Sequence, residues 1–250
     1  MTVKNKKVII VMPAYNAAKT LEQTCKEIPH GSYDEIILVD DASSDTTVEL
    51  AKELHLKVVK HPQNKGYGGN QKTCYTEALK DGADVVIMLH PDNQYDPGMV
   101  PNIALPIIKG QADVVLASRF IRDPLQGGPI KGGMPLWKFV ANRALTIFEN
   151  MILRTYFSEF HTGYRAFSRK ALESIDFMAN SDNFVFDNEM IVQLIMKKMK
   201  FKEIGVETRY FKEASSVDFF TSTRYGFGIL GTLFKYVLHV NNIKRFPQFE

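Results

Sequence analysis

At 250 residues, 45% of them hydrophobic and 24% charged, the chain is long enough to bury a substantial core and has an ordinary globular composition. Its 31 basic and 28 acidic residues leave a net charge of +3, too small to argue for nucleic acid, and no basic stripe interleaved with aromatics restores that reading. The two cysteines, Cys25 and Cys74, exclude a disulfide framework and a zinc site and read as reduced, buried small residues.

Residues 1–7 are polar and basic but lead into only about six apolar residues, shorter than a signal-peptide core. No uncharged run approaches the ~18 residues needed to span a bilayer. The expected location is the cytoplasm, including the inner face of its membrane.

An apolar strand over 8–12 breaks at Pro13-Ala-Tyr-Asn16, and residues 17–28 then have helical spacing. A second strand, 35–39, runs into Asp40-Asp41-Ala-Ser-Ser-Asp45 and a capped helix over 46–54. A short strand at 56–60 precedes a loop with Gly66, Gly68 and Gly69, which permit a tight turn or close backbone approach. Their spacing and place after the third strand do not match a dinucleotide fingerprint. A helix over 71–80 leads to a strand at 84–89, apolar without alternation, as suits burial on both faces of a parallel sheet. It stops at His90-Pro-Asp-Asn-Gln-Tyr-Asp-Pro97, where Asp96 reads as a cap for a helix beginning at Pro97. A helix at 101–109 and a strand at 112–117 complete a βαβ pattern.

Beyond Phe120 the pattern changes. Residues 123–135 hold four glycines and three prolines, a mobile connection of the kind used as active-site lids. A long helix over 136–156 follows. Then come a strand at 162–167, helices at 170–175 and 187–200, and an alternating stretch at 201–211. The last helix, 223–240, mixes aromatics with Arg224 and Lys235. It suits packing on the sheet or in a homodimer, or peripheral membrane contact. The expected division is a main α/β unit over 1–220 and a C-terminal amphipathic helix and tail over 221–250.

Two strand ends carry acids, Asp40 and Asp41 after the second strand and Asp92 after the fourth. If the first strand lies between them, both face one crevice beyond the carboxyl ends of the sheet. One carboxylate can then accept hydrogen bonds from a base or ribose. The other, Asp92, offers hard oxygen chemistry for a divalent cation carrying phosphates. Pro13 and Tyr15 would form a rigid wall and an aromatic face for a base.

These residues carry a resemblance. Met12-Pro-Ala-Tyr-Asn16, Ile37-Leu-Val-Asp-Asp-Ala-Ser-Ser-Asp45, Asn64-Lys-Gly-Tyr-Gly68 and Leu89-His-Pro-Asp-Asn-Gln-Tyr-Asp-Pro97 match in order. So do Ala117-Ser-Arg-Phe120, Thr162-Gly-Tyr-Arg165, Phe186-Asp-Asn-Glu189 and Arg209-Tyr-Phe211. The sequence resembles the family 2 glycosyltransferases of the GT-A fold, in particular the group around dolichyl-phosphate mannose synthase and bacterial polyprenyl-phosphate sugar transferases. The resemblance implies an α/β three-layer sandwich, with a mostly parallel, Rossmann-like mixed sheet and helices on both faces. It implies transfer of a sugar from a nucleoside-diphosphate sugar, with inversion, to a lipid-phosphate or glycan acceptor. Pro13, Tyr15 and Asp40, with Asp41 and Lys65 in the matching segments, would hold the nucleotide. Asp92, Gln94 and His90 would form the Mg2+ or Mn2+ site, Arg119 and Arg165 would neutralise phosphate charge, and Asp187 would stand near the acceptor. Glu189 is expected at solvent or in a salt bridge on its helix.

Two positions depart from the family pattern. His90-Pro91-Asp92 stands where relatives usually show Asp-x-Asp, and imidazole is a poorer magnesium ligand than carboxylate. His90 therefore reads first as a packing or supporting group. Ala17 follows Asn16 where relatives often carry an acid. The alternative reading is a non-catalytic or metal-independent sugar-nucleotide-binding protein with a degenerate metal motif. For a hydroxyl acceptor Asp187 would serve as general base; an ionised lipid phosphate needs none, which leaves Asp187 to orient it.

Overall fold

The structure, a computed structural model, describes residues 6–121, 128–209 and 219–250. Among them the strands β1 (Val8–Ala14), β2 (Glu35–Asp40), β3 (Lys57–Lys60), β4 (Val85–Met88), β5 (Val114–Ser118), β6 (Arg165–Ser168) and β7 (Phe201–Gly205) form one sheet. Its order is β3-β2-β1-β4-β6-β5-β7. The helices are α1 (Leu21–Glu27), α2 (Thr47–Glu53), α3 (Gly66–Lys80), α4 (Val100–Ile108), α5 (Leu136–Leu153), α6 (Arg169–Glu173), α7 (Phe186–Met196) and α8 (Phe219–Val240).

The continuous apolar strands have a simple cause. Successive side chains alternate between faces, and both faces are covered. Ile9, Val11, Ile37, Val39, Val86 and Met88 face a core shared with α3, α7 and α8. Val8, Ile10, Met12, Leu38, Val85 and Ile87 face a second core with α1, α2 and α4. Each fully buried aliphatic side chain contributes about 1.5–3 kcal/mol. Polar alternation therefore cannot set the register, and carboxylates at the strand starts help to pin it. Asp34 accepts from the Val8 N–H at 2.7 Å, and Asp84 accepts from the Lys7 N–H at 2.8 Å.

β1 lies between β2 and β4, and all three run parallel. Their carboxyl ends, with Asp40, Asp41 and His90–Asp92 just beyond, share one edge, as the crevice argument requires. β6 runs antiparallel to β4 and β5. Its entry, residues 161–165, therefore reaches the same edge.

Several boundaries differ from the sequence reading. α3 starts at Gly66, so the three glycines belong to a helix and not to a loop. The close approach expected of them is present: a Cβ on Gly68 would strike the Ser181 carbonyl oxygen and Phe186 Cβ. The long helix ends at Leu153, where Arg154 takes a left-handed conformation at φ 56°. The expected strand over 162–167 begins only at Arg165, because Thr162 Oγ1 turns back to the Ala117 carbonyl at 2.7 Å. The alternating stretch over 201–211 is a strand only to Gly205, with an isolated bridge from Thr208 to Tyr95; residues 210 and 211 lie outside the described residues. Of the expected lid, 123–127 also lies outside them. Cys25 is half-buried, not buried, while Cys74 is buried, and both are free. Glu189 is buried, accepting from the Ser181 backbone N–H at 2.7 Å and hydroxyl at 2.8 Å, so it faces neither solvent nor a cation as expected. Asp96 caps the short turn Pro97–Met99, accepting from the Gly98 N–H at 2.9 Å.

Candidate active site

The carboxyl edge of the sheet opens into a cavity of about 660 Å³. Of the residues read from sequence, Pro13, Tyr15, Asp41, His90, Asp92, Gln94, Arg119 and Asp187 line it; Asp40, Lys65 and Arg165 do not. Tyr15 is 58% exposed at the mouth, free to present a ring face. Asp40 is fully buried behind Ala14, with Oδ2 accepting from the Ser43 N–H at 3.2 Å and Oδ1 without a partner. A buried acceptor left open is costly unless something meets it.

Asp41 holds the next loop in place. Its oxygens accept from the backbone N–H groups of Lys65 at 2.8 Å and Gly66 at 3.0 Å, and His61 Nδ1 lies 2.7 Å away. It thereby satisfies orphan donors at the start of α3 and matches the positive end of the helix dipole. The Lys65 side chain points to solvent.

Asp92 takes the Gln94 N–H on Oδ1 at 3.0 Å, a local turn that presents the carboxylate to the cavity. Beside it the His90 ring stacks on Tyr67, with centroids 5.6 Å apart and planes at 13°. His90 Nε2 sits 3.3 Å from the Tyr67 hydroxyl. Among the described residues no three His, Cys, Asp or Glu side chains converge on a point. One carboxylate with Gln94 and a half-buried imidazole does not form a cage for a cation by itself. It does suit an ion whose remaining ligands are phosphate oxygens and water, the usual magnesium arrangement.

Asp187, at the start of α7, is held by three donors. Tyr67 donates to Oδ2 at 2.8 Å, Gln71 to Oδ1 at 3.0 Å, and Arg165 Nη1 lies 3.2 Å from Oδ1. Arg165 is 1% exposed and also donates to the carbonyls of Phe160 and Asp187, each at 3.1 Å. Burial lowers its proton affinity, but Asp187 and nearby tyrosines more than restore it, so it stays charged. Burial, then the Asp187 charge, pushes the Tyr67 phenol well up, so it remains a donor.

Arg119 is clamped by Glu159, a residue the sequence reading did not single out. Glu159 accepts from the Arg119 backbone N–H and Nε, each at 2.9 Å, and pairs with Nη2. Tyr67, Gln71, Glu159, Glu149, His161 and Tyr225 were missed as site residues. The available signal was weak: an acid at Glu149 on the apolar side of a long helix, and His161 directly before the Thr162-Gly-Tyr-Arg165 match.

A crevice at the carboxyl ends of β1, β2 and β4, lined by a proline–tyrosine wall and acid-bearing turns, on a mixed sheet with helices on both faces, defines a GT-A glycosyltransferase fold. The chain belongs to glycosyl transferase family 2, whose family model matches residues 9–176, and it is a glycosyltransferase. It is 28% identical over 223 residues to UDP-N-acetylglucosamine–dolichyl-phosphate N-acetylglucosaminyltransferase of Methanococcus voltae, covering 82% of this chain and 87% of that one. It is 24% identical over 206 residues to polyprenol monophosphomannose synthase of Mycolicibacterium smegmatis, covering 79% and 76%. Among solved structures, glucosyl-3-phosphoglycerate synthase of Mycobacterium tuberculosis in complex with UDP superposes with a TM-score of 0.71 at 18% identity, covering 93% of this chain and 80% of that one. At that identity the likeness speaks to the fold.

Proposed function

We propose that this glycosyltransferase moves a sugar from a nucleoside-diphosphate sugar to a polyprenyl phosphate, with inversion at the anomeric carbon. The observation that carries the reading is the extent of one cavity. It reaches from Pro13, Tyr15 and Asp92 at the sheet edge to Trp137 and Lys138 on α5 and Tyr225 on α8. A donor at the strand ends and an acceptor arriving along the helices would meet inside it.

At the donor end, Tyr15 would stack on the base, and the open Asp40 Oδ1 is an acceptor for a base N–H once the wall shifts to admit it. Asp92 would hold Mg2+ or Mn2+ together with the diphosphate, with Gln94 and His90 alongside. The ion, when bound, supplies charge stabilisation for the departing nucleoside diphosphate. Arg119, fixed by Glu159, adds a permanent positive charge at the cavity wall. An acceptor phosphate is already ionised, so Asp187, with its oxygens engaged by Tyr67, Gln71 and Arg165, would orient and not abstract a proton. The names of the Methanococcus and Mycolicibacterium relatives support a polyprenyl-type phosphate as acceptor.

No helix among the described residues is long and apolar enough to cross a membrane. The outer faces of α5 and α8 nevertheless expose Val140, Met151, Phe227 and Phe234, with Arg224 beside them. Such a face suits peripheral seating on anionic lipid, from which a lipid phosphate would enter the cavity.

Calorimetric titration with UDP, GDP, CDP and dTDP, with and without Mn2+, followed by transfer to prenyl phosphate in vesicles, tests this. One nucleotide bound more tightly with metal, and its sugar transferred, is the expected result. Binding of none of the four would defeat the donor reading. Transfer only to water or to soluble glycans would defeat the acceptor reading.

A further inference from the structure

Glu149 lies about one turn before the end of α5, with no exposed surface. Its Oε1 accepts from Asn188 Nδ2 at 2.5 Å, and its Oε2 is 3.0 Å from His161 Nε2. The other ring nitrogen, His161 Nδ1, lies 3.0 Å from the Tyr225 hydroxyl on α8, with the two rings edge to face. His161 and Tyr225 line the cavity, and Glu149 stands behind them.

Three buried carboxylates surround this end of the cavity: Glu159, Asp187 and Glu149. Arg119 pairs with the first and Arg165 with the second, and both guanidiniums are permanently charged. The ion pair that Glu149 makes is with His161. Neither Glu149 Oε2 nor His161 Nε2 has a well-aligned hydrogen bond to another group. A fully buried carboxylate without a charged partner is several kcal/mol unfavourable, and His161 is the side chain placed to balance it when protonated.

An imidazolium donates from both nitrogens. A protonated His161 would donate from Nδ1 to the Tyr225 oxygen and leave the Tyr225 hydroxyl hydrogen for a ligand in the cavity. Burial, then the Glu149 and Asp187 charges, pushes the Tyr225 phenol well up, so it keeps that proton. Arg119 Nη2 ties the same segment by donating to the His161 carbonyl at 3.0 Å. The wall thus brings the Tyr225 hydroxyl, the His161 ring and the Arg119 guanidinium together.

We propose that Glu149 holds His161 as an imidazolium, that Tyr225 thereby donates its hydroxyl hydrogen to the phosphate of a phosphomonoester acceptor, and that Glu149 and His161 are positioning residues. The inference rests on the transferase reading for its biological meaning, but its binding test stands apart. A prenyl chain and a small soluble molecule can each carry such a phosphate, and titration with both distinguishes them.

Trp137 is the chain's one tryptophan and lines the cavity, so its fluorescence reports binding without turnover. Farnesyl phosphate and glycerol 3-phosphate are titrated into wild type, Tyr225→Phe and His161→Gln, with UDP and GDP as controls. Wild type is expected to bind farnesyl phosphate, and both variants to bind it about tenfold more weakly while nucleotide affinity stays within roughly twofold. Tyr225→Phe keeps the ring and its packing, so misfolding is no escape. The double variant is expected to be no weaker than His161→Gln alone, since the residues act as one unit. Nitrogen NMR should show His161 protonated on both nitrogens in wild type and not in Glu149→Gln. Equal binding of glycerol 3-phosphate would support the site with a soluble source. Undiminished phosphomonoester binding in Tyr225→Phe, or none in a wild type that binds nucleotide, would overturn the inference. A wild type that binds phosphomonoester but no nucleotide would defeat the donor reading and leave this one standing.

Discussion

The Tyr67 hydroxyl donates to Asp187 Oδ2 across 2.8 Å, although 120 positions separate the two residues. That bond ties the start of α3 to the start of α7 directly beneath the cavity. It also fixes His90, because a phenol whose hydrogen is engaged by Asp187 can only accept from His90 Nε2–H. Tyr67→Phe should preserve the stacking on His90 and Phe184 but leave Asp187 one donor short. A hydrogen bond to a charged group is worth about 1.5–3 kcal/mol. The expected result is a stability loss of that order in urea unfolding, together with slower sugar transfer. Full stability in the variant would mean that the Asp187 carboxylate does not depend on this contact.

The tautomer at His90 bears on the metal. With Nε2 protonated, Nδ1 of a neutral imidazole is the nitrogen left to act as a ligand. Asp92→Ala is expected to reduce the metal enhancement of nucleotide binding by roughly tenfold or more, with the unfolding transition little changed. His90→Asp should move metal preference from Mn2+ toward Mg2+, because carboxylate oxygen suits the harder ion. Calorimetry with each ion reads both. Metal-enhanced binding that survives in Asp92→Ala would remove Asp92 from the site.

Much of this arrangement was legible in the sequence. The acids at 40, 41 and 92 could be placed on one edge because apolar runs ending in polar turns mark strand ends, and β1 does lie between β2 and β4. Arg119 was legible as a cation, but its clamp was not, since Glu159 is 40 residues away and sits in no periodic pattern. Glu189 was misread because a charged residue on a helix defaults to solvent. Here two donors of Ser181 satisfy it under the 181–183 loop. Helix α3 was read five residues short at its start, because glycines weaken helix propensity. The reason they are present is tertiary: the helix must approach the 181–183 backbone closely.

That approach can be tested at Gly68. A methyl there would collide with the Ser181 carbonyl oxygen and Phe186 Cβ, both on rigid structure, and the Asn183 carbonyl oxygen is 3.0 Å away. Alanine would normally stabilise a helix interior by up to about 1 kcal/mol. Here overpacking is expected to win, with Gly68→Ala costing about 1–3 kcal/mol. The same substitution at Gly231, which has nothing within 4 Å, is the control and should be neutral or stabilising. Chemical unfolding of the two variants gives the comparison, and equal stabilities would refute the close-packing argument.

The Arg119–Glu159 pair makes a prediction in pH. Burial alone would raise the Glu159 carboxyl, but the Arg119 charge and hydrogen bonds outweigh it and hold it below the ordinary 4.5. A carboxyl lowered in the folded state binds its proton more tightly when unfolded. Its contribution is therefore complete above the unfolded value and is lost as pH falls through the folded one. In Glu159→Gln the Arg119 charge stays buried without its carboxylate, at a cost of about 3–5 kcal/mol near neutrality. The gap between wild type and variant should then narrow below about pH 4.5, as wild type loses what the variant never had. Denaturant unfolding from pH 7 to pH 3 measures the gap directly. A gap that stays constant across that range would show that Glu159 is not the charged partner of Arg119.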